Sequence, residues 1–135
     1  MNRTIRQVLL YVLLPLISGY YIYFFFRPHY WFIEWFAKRE PLINLSTASF
    51  VQKIFIFSGP DFCWAFSLTS ALLIWEKWAN RAWKLFPYLI FLVIILSEVI
   101  QYFLSPQFTL DGFDLLAAVS GFILSYLLLI RSEHK

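Results

Sequence analysis

Three runs of nearly uncharged residues most constrain this chain, because a helix of about 20 apolar residues is what crosses the hydrocarbon core of a bilayer. The runs occupy residues 8–26, 85–104 and 113–130, and a shorter apolar run at 62–78 completes the set. The chain is 61% hydrophobic and 14% charged, whereas soluble domains are about 45–50% apolar and about 25% charged. The sequence therefore predicts an all-α membrane protein, a single domain built as a bundle of four transmembrane helices.

The long first loop carries two short amphipathic pieces, at residues 30–36 and 50–57. Neither piece is long enough to span, so both are predicted to be short helices lying in the membrane interface. Asp61 is expected to be the N-cap of the second span, because an Asp carboxylate accepts the free backbone N–H groups of a helix start. Within the first span, Pro15 and Gly19 would permit a kink that neighbouring helices can accommodate.

Small residues give a second packing signal. Ala117, Gly121 and Ser125 recur at spacing four in the last span. Such a stripe lets a membrane helix approach its neighbour closely. Cys63 is the one cysteine in the chain, so neither a disulfide framework nor a multi-cysteine metal site is expected.

The basic residues are distributed unequally between the two sides of a four-span arrangement. One side holds Arg3, Arg6, Lys77, Arg81, Lys84, Arg131 and Lys135. The other side holds Arg27, Lys38, Arg39 and Lys53. Because cytoplasmic loops carry the excess of Lys and Arg, both termini are predicted to lie in the cytoplasm, with the protein in the bacterial inner membrane. These residues form no groove-sized basic face, so nucleic acid is not expected as a partner.

A group of polar residues interrupts the last two spans. Glu98 and Gln101 share one helical face, and Asp111 and Asp114 have the same spacing at the next helix start. A carboxylate at the bilayer centre costs at least about 2.5–3.5 kcal/mol, so intramembrane acids tend to be buried, paired or functional. A short connection makes the two spans antiparallel neighbours. Together with Asp61, these side chains are predicted to form an outward-facing acidic pocket that binds a ligand.

Several of these residues also have simpler interpretations. Asp111 and Asp61 would each serve as a helix cap, and Asp114 in a first turn suits the helix dipole. Gln101 would bond a neighbouring backbone group. Glu98 is harder to explain in this way, because no Lys or Arg lies within its own run, residues 85–104, to neutralise it.

The same residues carry a family resemblance. Residues 60–72 form the expected entry to the second span, and Glu98-x-x-Gln101 is followed by a short turn and Asp111-x-x-Asp114. These stretches, together with the small-residue helix around Gly121, resemble the VanZ-like family of small integral membrane proteins. The resemblance covers residues 60–125. It implies a helical membrane fold and an acidic site, and some members of the family are associated with teicoplanin resistance.

Three hypotheses about function follow. The leading one is a non-enzymatic VanZ-like protein of the cell envelope, whose pocket binds a polar or cationic group of a membrane lipid, an envelope small molecule or a lipid-linked precursor. The alternatives are a structural subunit of a membrane complex or oligomer, and a membrane enzyme acting on a lipid-linked substrate. In the enzyme, Glu98 or Asp114 would act as general base or metal ligand. No cofactor or metal is expected, since His29 and His134 lie far from the acids in the sequence.

Overall fold

In the part of the chain that it describes, the structure, a computed structural model, has three long helices. It describes residues 2–26, 42, 44, 46–76, 88–89, 91–93, 95–96 and 112–131, apart from the side chains of residues 130 and 131. Helix α1 is Arg3–Phe26, α2 is Phe50–Glu76 and α3 is Gly112–Arg131. Every regular element in these segments is helical, and they contain no strand. The predicted all-α class is confirmed for this part of the chain.

Helix α2 begins at a reciprocal cap rather than at Asp61. The Ser49 Oγ accepts from the Gln52 N–H at 3.3 Å, and the Gln52 side-chain oxygen accepts from the Ser49 N–H at 2.8 Å. This capping box satisfies two of the donors that a helix start leaves free. Asp61 therefore lies inside α2, and the prediction that it caps a helix is wrong. Residues 50–57 likewise form the first turns of α2 and not a separate short helix.

Pro60 is accommodated inside α2 without ending it. A proline within a helix removes one hydrogen bond and crowds the carbonyl four residues earlier. Pro60 is fully buried, and its carbonyl oxygen lies 3.6 Å from the position a Cβ would take on Gly19 of α1. Packing against a neighbour is how helices in membranes tolerate proline.

Helix α1 is irregular in its first half. Residues Val8–Leu13 form a π-helical stretch, and the Leu14 N–H bonds the Leu9 carbonyl, five residues back. The stretch directly precedes Pro15, which cannot donate to a preceding carbonyl. The Ser67 hydroxyl of α2 donates to the Val12 carbonyl at 2.8 Å, so the widened turn is tied to the neighbouring helix.

Helix α2 is central and contacts both other helices. Against α1, its contacts run in opposite order along the two helices, pairing Gly59 with Ile22, Cys63 with Gly19 and Ser67 with Val12. Against α3 they run in the same order, pairing Ser58 with Asp114, Phe62 with Gly121 and Ser70 with Ser125. Helix α2 is thus antiparallel to α1 and parallel to α3.

Residues 88–89, 91–93 and 95–96 are helical, and two of them contact α3. The Tyr88 side chain lies next to that of Tyr126, and the Phe91 and Phe122 ring centroids are 4.9 Å apart. The later residue in the sequence contacts the earlier residue of α3, so Tyr88 and Phe91 run antiparallel to α3. The rest of the predicted third span, residues 85–104, lies outside the described residues.

The bundle places hydroxyl groups inside and large apolar side chains outside. Its buried polar residues are Ser58, Ser67, Thr69, Ser70 and Ser125. Large apolar residues on the outer faces are half or more exposed, among them Ile17 at 62%, Trp75 at 69% and Leu116 at 64%. Contiguous exposed apolar surface of this kind is uncommon in soluble monomers.

Among the described residues, two helices, Arg3–Phe26 and Gly112–Leu129, are long and apolar enough to cross a membrane, judged by length and composition. Only 11% and 22% of their apolar windows are buried. The core helix of a soluble protein would be mostly buried, so this exposure favours membrane insertion.

A substitution at Gly121 tests how closely α2 and α3 pack. A Cβ at this position would lie 2.5 Å from the Phe62 carbonyl oxygen and 3.1 Å from the Phe66 backbone nitrogen. We expect Gly121→Ala to lower the free energy of unfolding by about 1–3 kcal/mol, because backbone atoms have little room to shift. Reversible unfolding in mixed micelles, followed by tryptophan fluorescence, measures the change.

Gly112→Ala is the matched control, since a Cβ there would meet nothing within 4 Å. It should leave stability unchanged or raise it slightly, because Ala is the better helix former. Equal stability of the two variants would contradict the close packing at Gly121.

Candidate functional site

Two of the five predicted site residues lie in the described part of the chain. Asp114 is in the first turn of α3, as predicted, and Asp61 is inside α2. Glu98, Gln101 and Asp111 lie outside the described residues. The grouping of all five therefore stays a prediction.

Asp114 is held by a residue of another helix. The Ser58 hydroxyl donates to Asp114 Oδ1 at 2.6 Å. Ser58 is only 3% exposed, while Asp114 is half-buried. Hydrogen bonds from a hydroxyl to a carboxylate are short and stronger than those between neutral groups. This contact joins the start of α3 to the turn of α2 that precedes Pro60.

Asp61 lies one helical turn after Ser58, and residues three apart share a side of a helix. It is half-buried and makes interactions of its own. Within the described segments, no three His, Cys, Asp or Glu residues are grouped closely enough to hold a metal ion.

The chemistry available at Asp114 is that of a hydrogen-bond acceptor. An ionised carboxylate has about four lone-pair positions on its two oxygens, and Ser58 is its one hydrogen-bond partner within the part of the chain that the structure describes. The N-terminal end of α3 carries the positive end of the helix dipole, which favours a negative charge in its first turn. A group with N–H donors and a positive charge would complement this carboxylate.

A second polar contact joins α2 and α3 deeper in the bundle. The Ser70 and Ser125 hydroxyl oxygens are 2.8 Å apart, and both residues are fully buried. Ser125 belongs to the predicted small-residue stripe, whose close approach to a neighbour is confirmed at Gly121.

Ser58 and Ser70 were not among the site residues predicted from the sequence. They lie on one side of α2 but are separated there by Phe62 and Phe66, so no stripe of small residues marked that side in the sequence.

The chain has no match among protein-family models, curated proteins or solved structures. The VanZ-like resemblance therefore stays a prediction, and the site stands on its geometry.

The Ser70–Ser125 contact is expected to stabilise the α2–α3 pair by about 0.5–2 kcal/mol, the range found for hydrogen bonds between membrane helices. We expect Ser70→Ala and Ser125→Ala each to reduce stability by a similar amount. The double variant should lose less than the sum, because each single change leaves a buried hydroxyl without its partner. A double-mutant cycle of unfolding free energies measures this coupling, and strict additivity would contradict the contact.

Proposed function

We propose that this chain is a non-enzymatic, VanZ-like integral membrane protein of the bacterial cell envelope. In this proposal four helices span the inner membrane. Glu98, Gln101, Asp111, Asp114 and Asp61 form an acidic cluster near its outer face, which binds a polar or cationic group of a lipid or a cell-wall-related molecule. The observation that carries the proposal is Asp114, a half-buried carboxylate held by Ser58 inside a bundle with an apolar exterior.

The distribution of polar and apolar side chains supports the membrane setting. Water would not favour the exposed Ile17, Trp75 and Leu116, whereas lipid chains solvate them without cost. In lipid, the buried hydroxyls hold helices together, since apolar contact alone gives helices no advantage over contact with lipid.

The parallel arrangement of α2 and α3 supports four spans. Two neighbouring parallel helices need a connection that returns along the full length of the bundle. Tyr88 and Phe91 contact α3 in antiparallel order, as a returning helix would. Their contacts progress toward the start of α3 as the sequence approaches Glu98, which is the reason for including Glu98 and Gln101 in the proposed cluster.

The proposed orientation can be checked with single cysteines in a Cys63→Ala background. Asn2 and Thr47 are both exposed, one before α1 and the other before α2. We expect Thr47→Cys to react with a membrane-impermeant maleimide on intact cells, and Asn2→Cys to react only after permeabilisation. The measurement is the extent of labelling on a gel. Equal labelling of both positions on intact cells would contradict an α1 that crosses the membrane.

The proposed ligand chemistry can be checked with two lipids of equal net charge. Phosphatidylethanolamine has an ammonium group with N–H donors, whereas the quaternary ammonium of phosphatidylcholine has none. We expect the purified protein, exchanged into equimolar mixed vesicles and re-extracted, to retain phosphatidylethanolamine preferentially. Asp114→Asn should reduce this preference by about tenfold, since a hydrogen bond to a charged group contributes about 1.5–3 kcal/mol. Native mass spectrometry counts the retained lipids.

Thr47→Ala is the matched control, because it changes an exposed polar side chain in the loop before α2. It should leave the lipid preference unchanged. A preference that is absent in the wild-type protein, or unaffected by Asp114→Asn, would contradict the proposed binding site.

A second candidate function, a structural membrane subunit, is favoured by one observation. Three polar side chains of α2, those of Ser58, Ser67 and Ser70, bond across to neighbouring helices. In that case Asp114 contributes to helix association alone. Asp114→Asn would then reduce stability while the retained lipids stay the same, and the protein would co-purify with a stable partner.

A further inference from the structure

The Ser58 hydroxyl does not follow the usual behaviour of a hydroxyl inside a helix. Serine and threonine in helices commonly donate to the carbonyl four residues earlier. Thr69 does so to Ala65 at 2.7 Å, and Ser18 does so to Leu14 at 2.9 Å. Ser58 instead directs its one proton across the interface to Asp114. The rotamer of Ser58 is therefore selected by a group on another helix.

The Asp114 carboxylate also has an unusual hydrogen-bond partner for a residue at a helix start. A carboxylate in the first turn of a helix commonly bonds the free backbone N–H groups of its own helix. Here Oδ1 of Asp114 is bonded to α2, although the residue lies in the first turn of α3. Because Ser58 is buried and belongs to a capped helix that packs against both neighbours, its hydroxyl has little freedom to move.

We infer that Ser58 is a positioning residue, which fixes the direction of the Asp114 carboxylate so that its remaining acceptor positions stay available to a cationic donor. This inference rests on the proposed function for its role in binding. The hydrogen bond from Ser58 fills one acceptor position and holds the carboxylate in one rotamer. A ligand with N–H donors then meets a group that is already oriented, and it does not have to order that group on binding.

The experiment combines infrared spectroscopy with the lipid competition described above. The full-length protein is labelled with [4-¹³C]aspartate, and the difference from Asp114→Asn isolates the carboxyl band of Asp114. We expect Ser58→Ala to shift this band, because the carboxyl loses a hydrogen bond. The same variant should reduce the preference for phosphatidylethanolamine about fivefold, the equivalent of one hydrogen bond. Ser58→Thr keeps the hydroxyl and should restore the wild-type band.

Ser67→Ala is the matched control. It also removes a buried hydroxyl of α2 that bonds a neighbouring helix, but that hydroxyl donates to the Val12 carbonyl. It should leave the Asp114 band and the lipid preference unchanged. If Ser58→Ala does not fold, Ser58→Cys replaces it, and the weaker thiol donor should move the band in the same direction.

Two results would overturn the inference. One is an Asp114 band that is the same with and without the Ser58 hydroxyl. The other is a shifted band with an unchanged, Asp114-dependent lipid preference, which would make the contact purely structural. Failure of the proposed function alone would give a different result. The wild-type protein would then show no lipid preference, but Ser58→Ala would still shift the Asp114 band, because Ser58 orients Asp114.

Discussion

The backbones of α2 and α3 meet at Gly121 with no space for even a methyl group between them. This approach allows short side chains to reach across the interface on either side of the contact. Ser58 reaches Asp114 toward one end, and Ser70 reaches Ser125 toward the other. A bulkier residue at the contact would separate the helices and lengthen both hydrogen bonds. These two hydrogen bonds between helices thus depend on position 121 having no side chain.

Within the described residues, no buried side-chain oxygen or nitrogen lacks a hydrogen-bond partner. That balance matters in an apolar environment, where an unpaired polar group is costly. Complete hydrogen bonding also explains how α2 can be less apolar than α1 and α3 and still lie between them. Three of its hydroxyl groups, those of Ser58, Ser67 and Ser70, bond α1 or α3, while residues such as Trp75 are exposed.

Local patterns were sufficient to predict α1, α3 and the place of Asp114 in a first turn, because apolar length and helix-start chemistry are properties of adjacent residues. They failed at the start of α2. The Ser58-Gly59-Pro60-Asp61 sequence is typical of a break, yet packing against α1 accommodates Pro60, and the Ser49–Gln52 capping box begins the helix earlier. The bond from Ser58 to Asp114 was beyond such patterns, because it depends on which helices are neighbours and on their relative depth.

The length of α2 has a consequence for the depth of Asp114 in a bilayer. Its 27 residues extend about 40 Å, whereas the 20 residues of α3 extend about 30 Å, close to the thickness of a hydrocarbon core. Since Ser58 pairs with the start of α3, the excess length falls in the turns before Ser58, where the Phe50 ring contacts that of Phe113. In a bilayer these turns would stand in the headgroup layer beside Asp114. The Asp114 carboxylate would then lie at the boundary where lipid headgroups begin, where the lipid ligand proposed above could reach it without leaving its own leaflet.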